Sequence, residues 1–226
     1  MLPKKLAYLQ NSSAMPELSR RGFLISAAAT ATGFAIGFQA LSAKGSETTG
    51  VAISPFASYV EIAEDGAVTI LSSQFDMGQG SYHGIATLTI EELGADWSQV
   101  SVRGVSGNND LYGNIAWGGV AQGSGGSTSM ATSWDRYRKA GAAAREMLKS
   151  AAAEAWGVPA SEIAVSNGVL SHASGKSGGF GEFAKAAALQ SVPVDVALKG
   201  RSDWTEIGNS ETKRYEIGRA SCRERV

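Results

Sequence analysis

Apolar and polar residues alternate over Phe56–Ala63 (FASYVEIA) and again over Ala67–Gln74 (AVTILSSQ), with Asp65 and Gly66 between the two runs. That period predicts a β-hairpin. From Ser81 the period changes: Ile85, Leu88, Ile90 and Leu93 share one helical face, Glu91 and Glu92 read as its solvated side, and Gly94 ends the helix. Gln99–Val105 returns to strand. The polar segment from Gly107 to Ser129 is too long for an ordinary loop, and its Tyr112, Ile115 and Trp117 argue against disorder, so it is expected to line something. A long helix is predicted from about Thr128 to Trp156, where Trp134, Tyr137, Gly141, Ala144, Leu148 and Ala151 recur at helical spacing and small residues permit close packing. A second hairpin, Glu162–Ala173, turns at Asn167 and Gly168. A last helix over Phe180–Leu189 and an extended piece over Val192–Leu198 complete an α+β reading, a mixed or antiparallel sheet with hairpins packed by helices.

Composition narrows the possible functions. The 226 residues are 43% hydrophobic, enough for a real core in one large domain or two small ones. Glycine occurs 28 times without a fixed period, which implies tight turns or close backbone approaches and not a fibrous repeat. Positive charge gathers at the two ends, leaving a mildly acidic body without the basic stripe of a nucleic-acid binder. The single cysteine, Cys222, excludes a disulfide framework within the chain and any cysteine-ligated zinc or iron–sulfur centre in it.

The ends read differently from the body. Leu18–Leu24 (LSRRGFL) places twin arginines before an uncharged, alanine-rich stretch, so residues 1–43 are expected to be a twin-arginine export signal, with a membrane anchor as the alternative. That route carries folded proteins, so a cofactor acquired before export is expected, and with it a periplasmic or periplasm-facing location. Residues 217–226 lack periodicity and are read as a non-native tail, with a solvated basic tail as the alternative; residues 44–216 are the body.

Few residues carry obvious chemistry. His83 and His172 are the two histidines; no nucleophile elbow supports a hydrolytic triad around His83, and His172 reads as a surface residue of its hairpin. The stretch FDMGQGSYHG, Phe75–Gly84, is more informative. Gly78 and Gly80 let backbone approach a ligand, Gln79 between them reads as a buried amide able to donate and accept, and the free N–H groups of the following helix suit an anion or oxo group. Phe75 and Tyr82 are the expected packing for that turn. A second element, GSGGSTS at 123–129, opens the long helix; Ser127, Thr128 or Ser129 can cap it, or the element can cradle phosphate. Two glycine-rich helix starts favour one large, phosphate-bearing cofactor spanning both.

These motifs, in this order, resemble the large, molybdopterin-binding subunit of the xanthine dehydrogenase and aldehyde oxidase family, in particular the exported branch of isoquinoline 1-oxidoreductase beta subunits and membrane-associated aldehyde dehydrogenases. The likeness rests on the twin-arginine leader, DMGQG with IEELGAD, GGSTSMATSWDRYRKAGAAAREML, AAAEAWGVP and NGVLSHASG. It implies the molybdenum cofactor, with its dinucleotide form (cytosine among the candidates) left open, held by Met77, Gly78, Gln79 and Gly80 and by Gly125, Gly126, Ser127, Thr128 and Ser129. Gln79 would act catalytically against the oxo ligand of molybdenum. The implied reaction hydroxylates an electron-poor carbon of an N-heterocycle or aldehyde with oxygen from water. Implied partners are a small [2Fe–2S] subunit and, as a further acceptor, a cytochrome c subunit; iron–sulfur clusters on a separate chain agree with the lack of cysteine ligands here. Family members are far longer, and their glutamate base lies in a C-terminal part, so the expectation is an N-terminal portion that by itself retains no cofactor stably and is inactive. The competing readings are a non-enzymatic exported binding module and a hydrolase using His83.

Overall fold

The computed structural model describes the backbone of residues 23–30 and 33–40, and residues 59–212 except 106, 191 and 194. Two strands come first, β1 (Phe23–Thr30) and β2 (Gly33–Ala40), paired antiparallel. The sequence gives these residues to a leader or anchor; here their backbone extends a sheet, β2 pairing antiparallel with β3 (Val60–Ala63). The twin arginines Arg20 and Arg21 and the tail from 217 to 226, with Cys222, lie outside the described residues. Among the described residues no helix is long and apolar enough to cross a membrane.

The first predicted hairpin forms as β3 and β4 (Val68–Ser72), closed by the Ala67 N–H donating to Asp65 Oδ1 at 2.9 Å. Val60, Ile62, Val68 and Ile70 are buried on its core face. From β4 the chain passes through α1 (Ser81–Leu93) to β5 (Val100–Gly104), which lies parallel to β4. A parallel pair needs such a crossover, and here the helix supplies it. The sheet order is β1-β2-β3-β4-β5. A short helix α2 (Asn109–Tyr112) breaks the long polar segment, and α3 (Ser129–Trp156) follows, ending at Gly157. The second hairpin, β6 (Ala164–Ser166) and β7 (Val169–Ser171), turns at Asn167 and Gly168, both at positive φ (49° and 74°), as a two-residue primed turn requires. It gains a third strand that the sequence did not suggest, β8 (Ser177–Gly179), before α4 (Phe180–Ala187). The fold is α+β, with mixed and antiparallel sheets.

Helices α1 and α3 carry the body, and the small residues of α3 explain how closely they lie. A Cβ on Gly141 would stand 2.5 Å from the Thr89 carbonyl oxygen, and one on Gly84 2.6 Å from Met130 Sδ. Beneath them Tyr59, Tyr112 and Tyr137 meet edge to face, with centroids 5.5 and 5.3 Å apart about Tyr59. Tyr137 is fully buried; its hydroxyl donates to the Leu71 carbonyl at 2.8 Å and accepts the Ser73 N–H at 2.6 Å, and burial pushes its pKa up.

Three expectations are corrected. Glu91 and Glu92 are not the solvated face of α1: both are 0% exposed. Glu92 accepts from Arg138 Nη2 at 2.6 Å and Nε at 2.9 Å and from the Lys199 N–H at 3.1 Å. Glu91 accepts from Lys199 Nζ at 3.0 Å and from three consecutive N–H groups, Thr205, Glu206 and Ile207, at 2.7–3.0 Å. The strap after residue 197 folds back onto α1 and covers a face that helical periodicity alone marks as polar. The described residues of Val192–Leu198, expected as an extended piece, form no strand and lead into this strap. His172 is not a bare surface residue: its side chain is 9% exposed, with Nε2 at 2.9 Å from Glu162 and Nδ1 at 2.8 Å from Ser174.

Candidate functional site

The turn before α1 is organised by a residue that the motif reading passed over. Asp76 Oδ1 accepts the N–H groups of Gly78 (2.7 Å) and Gly80 (3.3 Å), and Oδ2 accepts that of Tyr82 (2.9 Å). Gly78 and Gly80 sit at φ +101° and +88°, which lets the chain wind around this carboxylate. The N-terminus of α1 is therefore already occupied by the chain's own anion, and the expectation that it offers free N–H groups to a ligand is corrected. Gln79 differs from expectation too: it is exposed. Its Oε1 accepts the Met77 N–H at 2.6 Å, and Nε2 donates to the Phe75 carbonyl at 2.7 Å and to Ser81 Oγ at 3.2 Å. Both amide hydrogens are engaged within the turn, and the longer bond to Ser81 is the one most readily exchanged for a ligand.

The start of α3 has the opposite character. Its N-cap, Thr128, makes no side-chain cap bond, because its hydroxyl donates to the Gly125 carbonyl at 2.7 Å and accepts from Asn114 Nδ2 at 2.8 Å. The first N–H groups of a helix have no intrahelical partner, and the dipole of a helix of 28 residues ends there, so this terminus attracts an anion. The expected Ser or Thr cap does not form. Gly123 serves another purpose: a Cβ there would stand 2.6 Å from the Trp117 ring, so this glycine makes room for the indole.

The two turns face each other across one open cleft of about 450 Å³. Met77, Gln79, Gly80 and Ser81 line one side; Ser124, Gly125, Ser127, Ser129 and Met130 line the other. Six residues singled out from sequence thus meet in one place. Gly78, Gly126 and Thr128 shape the turns without lining the cleft. His83 stands apart, stacked on Trp97 with ring centroids 5.2 Å apart.

The sequence matches the family described as the molybdopterin cofactor-binding domain over residues 4–222. The chain belongs to this family. It is 36% identical over 159 residues to the isoquinoline 1-oxidoreductase subunit beta of Brevundimonas diminuta, covering 69% of this chain and 20% of that relative. It is 32% identical over 164 residues to the membrane-bound aldehyde dehydrogenase (pyrroloquinoline-quinone) of Gluconacetobacter polyoxogenes, covering 70% and 20%. The chain of this molybdopterin cofactor-binding domain protein spans about a fifth of the length of these curated relatives. Among solved structures, quinoline 2-oxidoreductase from Pseudomonas putida 86 aligns with a TM-score of 0.43 at 24% identity, over 57% of this chain and 16% of that one.

The lining of the cleft fits an anionic group. None of the nine described lining residues is acidic, three serine hydroxyls line the side nearest the uncapped α3 terminus, and Gly125 leaves that wall without a side chain. Met77 and Met130 add apolar, adaptable surface. Sequence reasoning missed Ser81, Ser124 and Met130 as lining residues and Asp76 as the organiser. Asp76 had a readable signal, since Asp two residues before Gly commonly forms an Asx turn; the others are identified only by the folded approach of two distant turns.

Proposed function

We propose that this chain forms one wall of the cofactor site of a molybdenum hydroxylase large subunit that oxidises an N-heterocycle or an aldehyde. The observation that carries this reading is the meeting, across one cleft, of the Gln79 turn and an uncapped, hydroxyl-lined helix terminus. Gly125, Ser127, Ser129 and the first-turn N–H groups of α3 would hold the phosphate end of the cofactor. Met77 and Gly80 would border the pterin, and Gln79 would turn one amide hydrogen from Ser81 toward the metal's ligands. When bound, the molybdenum cofactor supplies two-electron oxidation of an electron-poor carbon with oxygen from water. The chain's own residues would bind and orient, with a glutamate base, a [2Fe–2S] subunit and a cytochrome c acceptor supplied by other polypeptide.

Purified from cells that make molybdopterin, the chain alone is expected to carry well under one molybdenum per molecule, measured by metal analysis with pterin fluorescence. It is expected to bind inorganic pyrophosphate weakly, with NMR shifts confined to the amides of residues 125–130. Pyrroloquinoline quinone bound in the cleft, with no response to pyrophosphate, would overturn the reading.

Export by the twin-arginine route, to the periplasm or its membrane face, is part of the proposal and rests on LSRRGFL at 18–24. N-terminal sequencing of the exported protein is expected to start at Ala43 or Lys44. A start upstream of Phe23 would instead make β1 and β2 permanent strands of the sheet.

A further inference from the structure

The backbone of Phe75 is held on both sides of its Cα. Its N–H donates to Ser124 Oγ at 2.7 Å, and the Ser124 hydroxyl donates in turn to Gln74 Oε1 at 3.1 Å. Its carbonyl accepts from Gln79 Nε2 at 2.7 Å and from Ser81 Oγ at 3.0 Å. A residue of the turn before α3 thus holds the backbone N–H of Phe75, and across the same Cα the Phe75 carbonyl, in the next peptide, aims the Gln79 amide on the turn before α1. Gln122 adds a second stitch between the same segments, its Nε2 donating to the carbonyl of Ser73 at 2.9 Å and to that of Val105. Buried Asn114 anchors the far side, donating to the Gly123 carbonyl at 3.1 Å and to Thr128 Oγ1.

Two of these side chains are held at a cost. Gln74 is 0% exposed and its Nε2 has no partner among the described residues, and neither has the buried Oε1 of Gln122. A buried polar atom left unpaired weakens a fold, so such residues are expected only where the other end of the side chain does something the molecule needs. In both glutamines the paired end joins the segment before the Gln79 turn to the segment before α3.

We propose that Ser124, backed by Gln74, is a positioning residue that couples the Gln79 turn to the glycine-rich start of α3, so that the two walls of the cleft keep one separation and one orientation. Its purpose rests on the reading of the cleft as a cofactor site; its geometry does not. Gln74 lies outside the glycine motifs and Ser124 is the second residue of GSGGSTS, and Ser124 acts on Gln79 only through the backbone of Phe75.

The test uses the full chain without added ligand. In hydrogen exchange read by mass spectrometry, Ser124→Ala is expected to speed exchange of the amides of residues 75–80 about tenfold, the effect of one lost hydrogen bond, and to leave residues 137–151 of α3 unchanged. Ser124→Thr, which keeps the hydroxyl, is expected to restore slow exchange. Unchanged exchange at residues 75–80 would overturn the coupling, and so would an equal acceleration throughout α3, which would make Ser124 a general stabiliser. A pyrophosphate titration runs alongside, with several-fold weaker binding expected in Ser124→Ala than in Ser124→Thr. A wild-type chain indifferent to pyrophosphate would sink the cofactor reading and leave the coupling to be decided by exchange alone.

Discussion

Glu92→Ala is expected to lower the stability of the folded chain by about 3–5 kcal/mol, because it leaves the Arg138 guanidinium buried without its counter-charge. Arg138 is only 8% exposed at its side chain, and its remaining contacts, the Lys199 carbonyl at 2.7 Å and the rings of Trp134 and Trp204 at 5.4 and 5.5 Å, do not neutralise it. For a chain of this size the loss corresponds to a fall in Tm on the order of 10 °C, read by circular dichroism during heating. Replacing Arg138 with Met in the same molecule is expected to return part of the loss, since an apolar pair tolerates burial better than a lone charge. A loss below about 1 kcal/mol for Glu92→Ala would show that the Glu92–Arg138 pair is open to water.

Glu91 adds an acid limb. Burial pushes its pKa up, but the N–H groups of Ile207, Glu206 and Thr205 together with Lys199 outweigh burial and hold it below its ordinary value of 4.5. A carboxylate whose folded pKa is depressed contributes stability that is present above its unfolded pKa and lost as pH falls through the folded one. The strap at 197–207 is therefore expected to loosen first in acid, below about pH 4.5, with a shallower acid limb in Glu91→Gln.

The same two glutamates show where sequence reading stops. Helix α1 was legible to the residue, from Ser81 to the Gly94 stop, because its periodicity and terminating glycine are local signals. The turns at Asp65–Gly66 and Asn167–Gly168 were legible for the same reason. The burial of Glu91 and Glu92 was not, since their partners lie 46 to 116 positions away and polar residues carry no mark of being covered. At the site, both glycine-rich turns could be read from the sequence, and the two do meet in one cleft. Their difference in polarity could not. Whether a helix start is open to a ligand depends on which side chain folds back, and only the structure shows Asp76 closing α1 while the Thr128 hydroxyl turns away from α3.

That asymmetry yields the second large effect. Ser129→Asp places a carboxylate in the first turn of α3, facing the cleft. Its effect on the fold is favourable, about 0.3–1 kcal/mol, because a negative charge complements the positive end of the helix dipole. Its effect on an anionic ligand is the reverse. The carboxylate takes the N–H groups that phosphate would use and repels phosphate across a few ångströms, where two unit charges near a protein surface interact by roughly 4 kcal/mol before screening. Ser129→Asp is therefore expected to raise Tm by one or two degrees while weakening pyrophosphate binding at least tenfold. Ser129→Asn, similar in size but neutral, is expected to leave most of that binding intact. The opposed signs separate this mechanism from simple damage, which would lower both. Were Ser129→Asp to bind pyrophosphate as the wild type does, the uncapped end of α3 would not be the phosphate seat, and the assignment of Gly125, Ser127 and Ser129 to the cofactor would fall with it.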